Sequence, residues 1–249
     1  MSTHRTVAAR PALLNTVRRL RREAEALKWS TPSHVYNPLR YAWSGQREYL
    51  ERFGGRCGRV LLLGINPGPW GMAQTGVPFG DPVMVRTWFR IETRLARTLP
   101  AQHPKYPILG MACHRYEGSG SRLWGWAQRR FGAPEQFFER FFVWNYCPLL
   151  FLHANHNLTP QHLNRREARA LTAVCDRALA RVVQLLEPVA VIGIGRYAEQ
   201  RAQLLLGERL PLAYLPHPSP ASPAANRHWP VLAERALKPW LPVRRTRKP

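Results

Sequence analysis

The chain has 249 residues, of which 37 are lysine or arginine and 15 are aspartate or glutamate, so its formal net charge is +22. Because 45% of the residues are hydrophobic, the composition excludes a globally disordered protein. No apolar run reaches the roughly 18 residues that a membrane-spanning helix needs. The charge predicts a polyanionic partner, of which nucleic acid is the first candidate and an anionic membrane surface the second.

An amphipathic helical segment is predicted at the start of the chain, over residues 1–30. The first 22 residues are rich in arginine and contain no acid, which is also typical of an organellar transit peptide. The apolar residues with helical spacing are Leu13, Leu14, Val17, Leu20, Ala24 and Leu27. Because this stripe continues past the arginine-rich stretch, it favours a helix of the folded domain.

Four short apolar runs predict buried strands, because each is brief and β-branched or aromatic. They are Val60–Gly64, Phe141–Trp144, Val189–Gly193 and Leu212–Leu215. Helices are predicted between them, at Val83–Leu99, Ser121–Phe131, Pro134–Glu139 and Arg165–Glu187. The alternation predicts an α/β fold, a three-layer α/β/α sandwich around a central, mainly parallel four-stranded sheet. We expect one domain over residues 1–249, ending in a basic tail at residues 244–249.

Each predicted strand is followed by a loop of unusual composition, and parallel sheets bind ligands at this carboxyl edge. The first loop, residues 64–81, reads GINPGPWGMAQTGVPFGD, in which glycines free the backbone and prolines stiffen it. Asn66 directly follows the strand, either as a polar side chain facing a cleft or as a turn-former before Pro67. Phe79 fits a cleft and an ordinary core position equally well.

The second and fourth loops each offer one candidate side chain. Asn145 closes the second strand, and its amide can donate and accept at once, as recognition of a pyrimidine edge requires. A purely structural role for this residue remains the alternative. In the fourth loop, Pro218 and Pro220 fix a rigid segment behind His217. Its place on the same rim as Asn66 and Asn145 makes His217 the best catalytic candidate among the nine histidines.

The third loop, Gly193–Ala198, matches the pattern G-x-G-x-x-A that follows a strand in dinucleotide-binding folds. It lies late in the chain, however, and the acidic residues Glu199 and Glu208 come sooner than the roughly 20-residue offset of a ribose contact. A simple strand-to-helix turn is therefore favoured, whose backbone amides and Arg196 could meet a phosphate.

The cysteine and histidine spacings argue against a metal centre. The four cysteines are isolated and form no C-x-x-C pair: Cys57, Cys113, Cys147 and Cys175. Three nearby histidines at 153, 156 and 162 are interpreted as part of a polar loop. Without a secretory signal, the thiols are expected to be reduced in an intracellular protein. Its location would be the cytoplasm or nucleoid of a bacterium, or the nucleus of a eukaryote.

Two of these loops resemble the signature motifs of a known enzyme family. GINPGPWGMAQTGVPFGD and HPSPASPAAN are similar to the two motifs of the single-strand-selective monofunctional uracil-DNA glycosylases, within the uracil-DNA glycosylase superfamily. YNPLRYAW, GSGSRLWGW, NYCPLLFL and GIGRYAEQRA extend the resemblance over about residues 36–229. The implied fold is that of the superfamily.

The resemblance also implies roles for individual residues. Asn66 would position the attacking water and His217 would be the second catalytic residue. Phe79 would stack on the base and Asn145 would read it. Ile65, Gly68 and Met72 would also line the base pocket. Gly68 would leave room near the 5-position of the base. The implied DNA-binding residues are Gly195, Arg196, Ser219, Pro220, Ala221, Ser222, Asn226 and Arg227.

The implied reaction is excision of uracil, and of 5-substituted uracils, from single- and double-stranded DNA during base excision repair. The base would be flipped into the pocket, leaving an abasic site, without a metal or other cofactor. No lysine occurs in the four loops, so no Schiff-base lyase step is expected. Alanine and serine follow HPSP where the family often has a duplex-wedging arginine, which makes duplex penetration the least supported part.

No membrane contact or obligatory protein partner is implied, and a monomer is expected. Two other classes of function remain as alternatives. One is a non-catalytic single-stranded nucleic-acid-binding protein, which would explain the charge but not the paired asparagine and histidine loops. The other is a nucleotide-cofactor enzyme based on GIGRYA.

Overall fold

The computed structural model describes residues 2–222 and 225–242. For residues 2–8, 226 and 227 within these ranges it describes the backbone alone. The predicted basic tail at residues 244–249 lies outside the described residues. The helices are α1 (Ser2–Glu25), α2 (Pro38–Tyr41), α3 (Trp43–Phe53), α4 (Met72–Thr75), α5 (Pro82–Thr87), α6 (Gly118–Phe131), α7 (Pro134–Phe138), α8 (Arg165–Leu186), α9 (Arg196–Leu206) and α10 (Ala225–Leu237). The strands are β1 (His34–Tyr36), β2 (Val60–Gly64), β3 (Phe141–Asn145), β4 (Leu150–His153), β5 (His156–Leu158), β6 (Ala190–Ile194) and β7 (Leu212–Leu215).

The central sheet has the strand order β3-β2-β6-β7, and all neighbouring strands in it are parallel. Every residue of β2, β3 and β6 is buried, so both faces of the sheet are covered. The predicted α/β fold with a parallel four-stranded sheet is therefore confirmed. Gly64 of β2 pairs with Asn145 of β3, and β7 ends two residues before His217. The register thus brings the ends of β2, β3 and β7 to one edge.

Two groups of helices pack around this sheet. One group consists of α1, α8 and α9, and the other of α5, α6, α7 and α10. The apolar stripe of α1 is buried at Leu13, Val17, Leu20 and Ala24. Helix α1 ends at Glu25, before the predicted limit at residue 30. Within the described part of the chain, no helix is both long and apolar enough to cross a membrane.

The predicted helix Val83–Leu99 is wrong beyond its first turns. Helix α5 covers only Pro82–Thr87, and the rest of the range forms no helix. Arg90 has a left-handed φ of 54°, which stops helical propagation, while Phe89 beside it is fully buried. The guanidinium of Arg52 donates to the Phe89 carbonyl and so satisfies a backbone group outside any helix.

A second sheet, which the sequence did not indicate, is antiparallel with the order β1-β4-β5. The segment NYCPLLFL, predicted as a loop, contributes β4, and the predicted polar loop around His156 contributes β5. Ala154, with φ 47°, lies in the tight turn between them. These strands have three or four residues each, and β1 is distant in sequence, so no local periodicity could reveal the pairing.

Candidate active site

A cavity of about 510 Å³ opens at the edge where β2, β3 and β7 end. It brings together most of the residues that the sequence singled out. Those that line it are Ile65, Asn66, Gly68, Met72, Phe79, Asn145, His217, Ser219, Pro220, Ala221 and Ser222. Gly195 and Arg196 lie outside this lining, and the side chains of Asn226 and Arg227 lie outside the described part.

His217 is half-buried in the cavity wall and is held in one tautomer. Its Nδ1 accepts a hydrogen bond from the backbone N–H of Ser219 at 3.1 Å. Burial lowers the pKa of the imidazole to about 4, so the ring is neutral at physiological pH. A neutral ring that accepts at Nδ1 carries its proton on Nε2. His217 is therefore a neutral hydrogen-bond donor.

The segment around His217 is fixed from two sides. Trp229 Nε1 donates to the carbonyl of Pro216 at 2.8 Å, and Arg122 Nη1 donates to the carbonyl of Pro218 at 3.0 Å. Gly195, with φ 91°, lies against the ring, since a Cβ there would be 3.5 Å from His217 Cδ2. The third loop therefore supports His217 by close backbone approach.

Asn145 presents an unused acceptor beside the cavity. Its Nδ2 donates to the sulfur of Met72 at 3.2 Å, while its buried Oδ1 has no hydrogen-bond partner among the described residues. A buried polar atom without a partner costs free energy, which a ligand donor could recover. Gly64 makes this geometry possible, because a Cβ there would collide with Oδ1 and would lie 2.6 Å from Phe79 Cε2.

Phe79 is held in a left-handed backbone conformation, with φ 52°. Non-glycine residues adopt this region at a cost on the order of 1–3 kcal/mol, typically at functional sites. The carbonyl of Phe79 accepts hydrogen bonds from Trp124 Nε1 at 2.9 Å and from Asp81 N at 2.8 Å. Its ring centroid lies 5.9 Å from that of His217. The strained turn thus places an aromatic face beside the histidine.

Asn66 lies near the start of the loop that follows β2, and it is partly exposed. Its Nδ2 lies 3.3–3.4 Å from the carbonyl oxygens of Pro67, Leu149 and Leu158. These contacts occupy the donor end of the amide, which makes Oδ1 the atom suited to hold a water molecule.

Glu117 is a cavity residue that the sequence reasoning missed. Its carboxylate accepts hydrogen bonds from Ser119 N at 3.2 Å and from Gly120 N, and so caps α6. Burial raises the pKa of this carboxyl to about 7, against the lowering effect of the two N–H groups. An acid directly before GSGSRLWGW, in a chain with only 15 acids, was the available signal.

Sequence reasoning also missed other lining residues: Pro67, Pro69, Trp70, Gly71, Tyr106, Tyr116, Gly118, Ser119, Asn157 and Thr159. Asn157 belongs to β5 and Thr159 directly follows it, so their position depends on the second sheet. Arg196, predicted to meet a phosphate, is exposed, pairs with Glu199 at 2.8 Å and lies 3.9 Å from the centroid of Tyr214. Within the described residues, no group of three or more metal-ligating side chains is arranged to hold an ion.

Known proteins resemble the chain along most of its length. The single-strand selective monofunctional uracil DNA glycosylase of Bos taurus is 47% identical over 207 residues, which cover 82% of this chain and 76% of the relative. The Rattus norvegicus protein of the same description is 45% identical over 225 residues, or 88% and 81%. A crystal structure of wild-type Pedobacter heparinus SMUG2 has a TM-score of 0.60 at 17% identity, covering 90% of this chain and 97% of that one, and shows likeness of fold alone. The model of the uracil DNA glycosylase superfamily matches residues 52–238. The chain therefore belongs to the uracil DNA glycosylase superfamily.

Proposed function

We propose that the chain is a monofunctional uracil-DNA glycosylase of base excision repair. It hydrolyses the N-glycosidic bond of uracil, and of 5-substituted uracils, in single- and double-stranded DNA. The observation that carries the proposal is the pairing, in one cavity, of a neutral histidine donor with an asparagine whose acceptor is unused. The names of the similar proteins support it.

Asn145 reads the base after it has been flipped into the cavity. Its Oδ1 accepts from the N3–H of uracil, and its Nδ2 donates to O4. Cytosine presents an acceptor at N3 and a donor at the 4-position, so both contacts would face like groups. Phe79 covers the ring of the base. The cavity is open beside Gly68, since the nearest atom to a Cβ built there, Glu117 Oε1, would be 3.8 Å away.

His217 stabilises the leaving group. Cleavage of the glycosidic bond leaves positive charge on the sugar and negative charge on uracil, which spreads to O2. The Nε2–H of His217 donates to this oxygen as the charge develops, in a site already organised for it. Since burial keeps the pKa of the ring near 4, the histidine acts as a neutral donor.

Asn66 orients the water that captures the sugar cation. An amide is a weak base, which suffices when the cation is already well formed before attack. No lysine of the described chain lines the cavity, so the reaction stops at the abasic site without strand cleavage.

The enzyme acts as a monomer without an obligatory protein partner, and its charge holds it on DNA. Such a substrate places its work in the nucleoid of a bacterium or the nucleus of a eukaryote.

The test is an excision assay on single- and double-stranded oligonucleotides that carry uracil, 5-hydroxymethyluracil or hypoxanthine. The wild type should give alkali-dependent cleavage at uracil and no strand break before alkali. His217→Ala should lower the single-turnover rate at least tenfold, about 1.4 kcal/mol of barrier. His153→Ala, an exposed histidine at the end of β4, is the control. Absence of cleavage by the wild type would identify a nucleic-acid binder and contradict the proposal.

A further inference from the structure

Tyr116 is the one exposed side chain among the tryptophan, tyrosine and phenylalanine residues that the structure describes. It is 69% exposed, whereas the other tryptophan, tyrosine and phenylalanine side chains are buried or partly buried. It lies in the loop before α6 and lines the mouth of the cavity that holds Phe79 and His217. An exposed ring at the lip of this cavity is a surface on which a planar group can stack.

One edge of the Tyr116 ring packs against Gly118. A Cβ on Gly118 would lie 2.6 Å from Pro220 Cγ and 3.3 Å from Tyr116 Cε1, so the two loops pack closely there. The tyrosine therefore stands beside the segment that follows His217, where Pro220 and Ala221 are exposed as well.

The residue before Tyr116 in the chain carries positive charge. Arg115 is exposed, and its guanidinium carbon lies 5.5 Å from the ring centroid of Trp70, another lining residue. At this side of the cavity, Arg115 precedes Tyr116 in the chain and its guanidinium contacts the ring of Trp70. Aromatic rings combined with arginine are the usual means of holding single-stranded nucleic acid, through base stacking and phosphate contact.

We propose that Tyr116 stacks on the base next to the excised one when the substrate is single-stranded. This inference rests on the proposed function. Flipping a base into the cavity removes the stacking partner of its neighbour, and the tyrosine ring replaces that partner. In duplex DNA the neighbouring base stays paired and stacked within the helix, so the ring contributes little. Since every base has a π face, the contact is insensitive to sequence.

Steady-state kinetics on single- and double-stranded uracil oligonucleotides test the proposal. Tyr116→Ala should raise KM on single strands about tenfold and on duplexes by less than about twofold. Tyr116→Phe, which keeps the ring, should restore the single-strand KM. Leu204→Ala is the control, because Leu204 is 73% exposed on α9 and does not line the cavity.

Stacking can also be observed directly. 2-Aminopurine is placed beside a 2′-fluorinated deoxyuridine that resists cleavage, and its fluorescence should be quenched by the wild type and by Tyr116→Phe but not by Tyr116→Ala. Equal KM values for the wild type and Tyr116→Ala on single strands, or a Tyr116→Phe variant as impaired as Tyr116→Ala, would overturn the inference. If the wild type excises uracil in the same assay, that result leaves the proposed function intact.

Discussion

At the residue scale, the proposed recognition of uracil depends on which atom of Asn145 donates a hydrogen bond and which accepts one. Replacement by aspartate removes the donor for uracil O4 and supplies a carboxylate that can accept from the amino group of cytosine. Asn145→Asp should therefore reduce uracil excision about tenfold or more and lower the ratio of uracil to cytosine excision. Single-turnover rates on the two substrates measure this ratio. Asn157→Asp, the same exchange on the cavity rim, is the control, and an unchanged ratio in Asn145→Asp would argue against its reading role.

Glu117 makes the stability of the fold decrease as pH rises, because burial raises the pKa of its carboxyl. Its pKa is about 7 in the folded chain and near 4.5 when unfolded, so the folded state binds the additional proton between these values. Stability from this group is fully present below about pH 4.5 and is lost as pH rises through 7. Relative to Glu117→Gln, the wild type should lose on the order of 3 kcal/mol of unfolding free energy between pH 4.5 and pH 8.

Urea unfolding of both proteins across this pH range measures the difference. The surface variant Glu135→Gln, whose side chain is 63% exposed, controls for loss of one carboxylate. A constant difference between wild type and Glu117→Gln would show that the carboxyl ionises normally. The contribution of Glu117 is measured as the difference between wild type and Glu117→Gln, because the lowered pKa of His217 makes stability rise with pH over much of the same range.

At the scale of secondary structure elements, the site requires β2 and β3 to end side by side. Gly64 pairs with Asn145 in this register, and its missing side chain leaves room for the Asn145 amide and the Phe79 ring. Gly64→Ala should therefore displace both groups, lower excision at least tenfold and destabilise the fold by about 1–3 kcal/mol. Gly125→Ala in α6 is the matched control, since its Cβ would meet only the flexible end of Arg129 at 3.3 Å. Normal excision by Gly64→Ala would contradict this packing account.

The local hydrophobic pattern of the sequence predicts some of these elements and not others. The four strands of the parallel sheet are brief, continuously apolar runs, so their positions and the rim loops after them could be predicted from the sequence. The helix Val83–Leu99 could not be corrected, because the left-handed Arg90 and the bond from Arg52 are tertiary features. Glu117 reaches the cavity through a helix cap, and Asn157 through a non-local sheet. Neither position follows from spacing along the chain.

At the scale of the molecule, and within its described part, the basic residues lie apart from the lining of the candidate active site. Arginine supplies 33 of the 37 basic residues, yet no arginine or lysine is among the described residues that line the cavity. His217 within it is neutral, and the side chains that we propose to read the base and to orient the water are amides. The 15 acidic residues are too few to pair the basic ones, so the excess positive charge remains available to the DNA backbone.

This separation predicts that salt and site substitutions act independently. Binding to a single-stranded oligonucleotide without uracil should weaken steeply with salt, and contact with six phosphates would give a slope of about −4 in log K against log salt. His217→Ala should have the same slope as the wild type, because the neutral ring releases no counterions. Fluorescence anisotropy titrations between about 50 and 200 mM salt measure both slopes. If the affinity did not depend on salt, or if His217→Ala changed the slope, affinity would arise in the cavity. Equal, steep slopes for the two proteins would instead assign affinity to the charged surface and specificity to the loops.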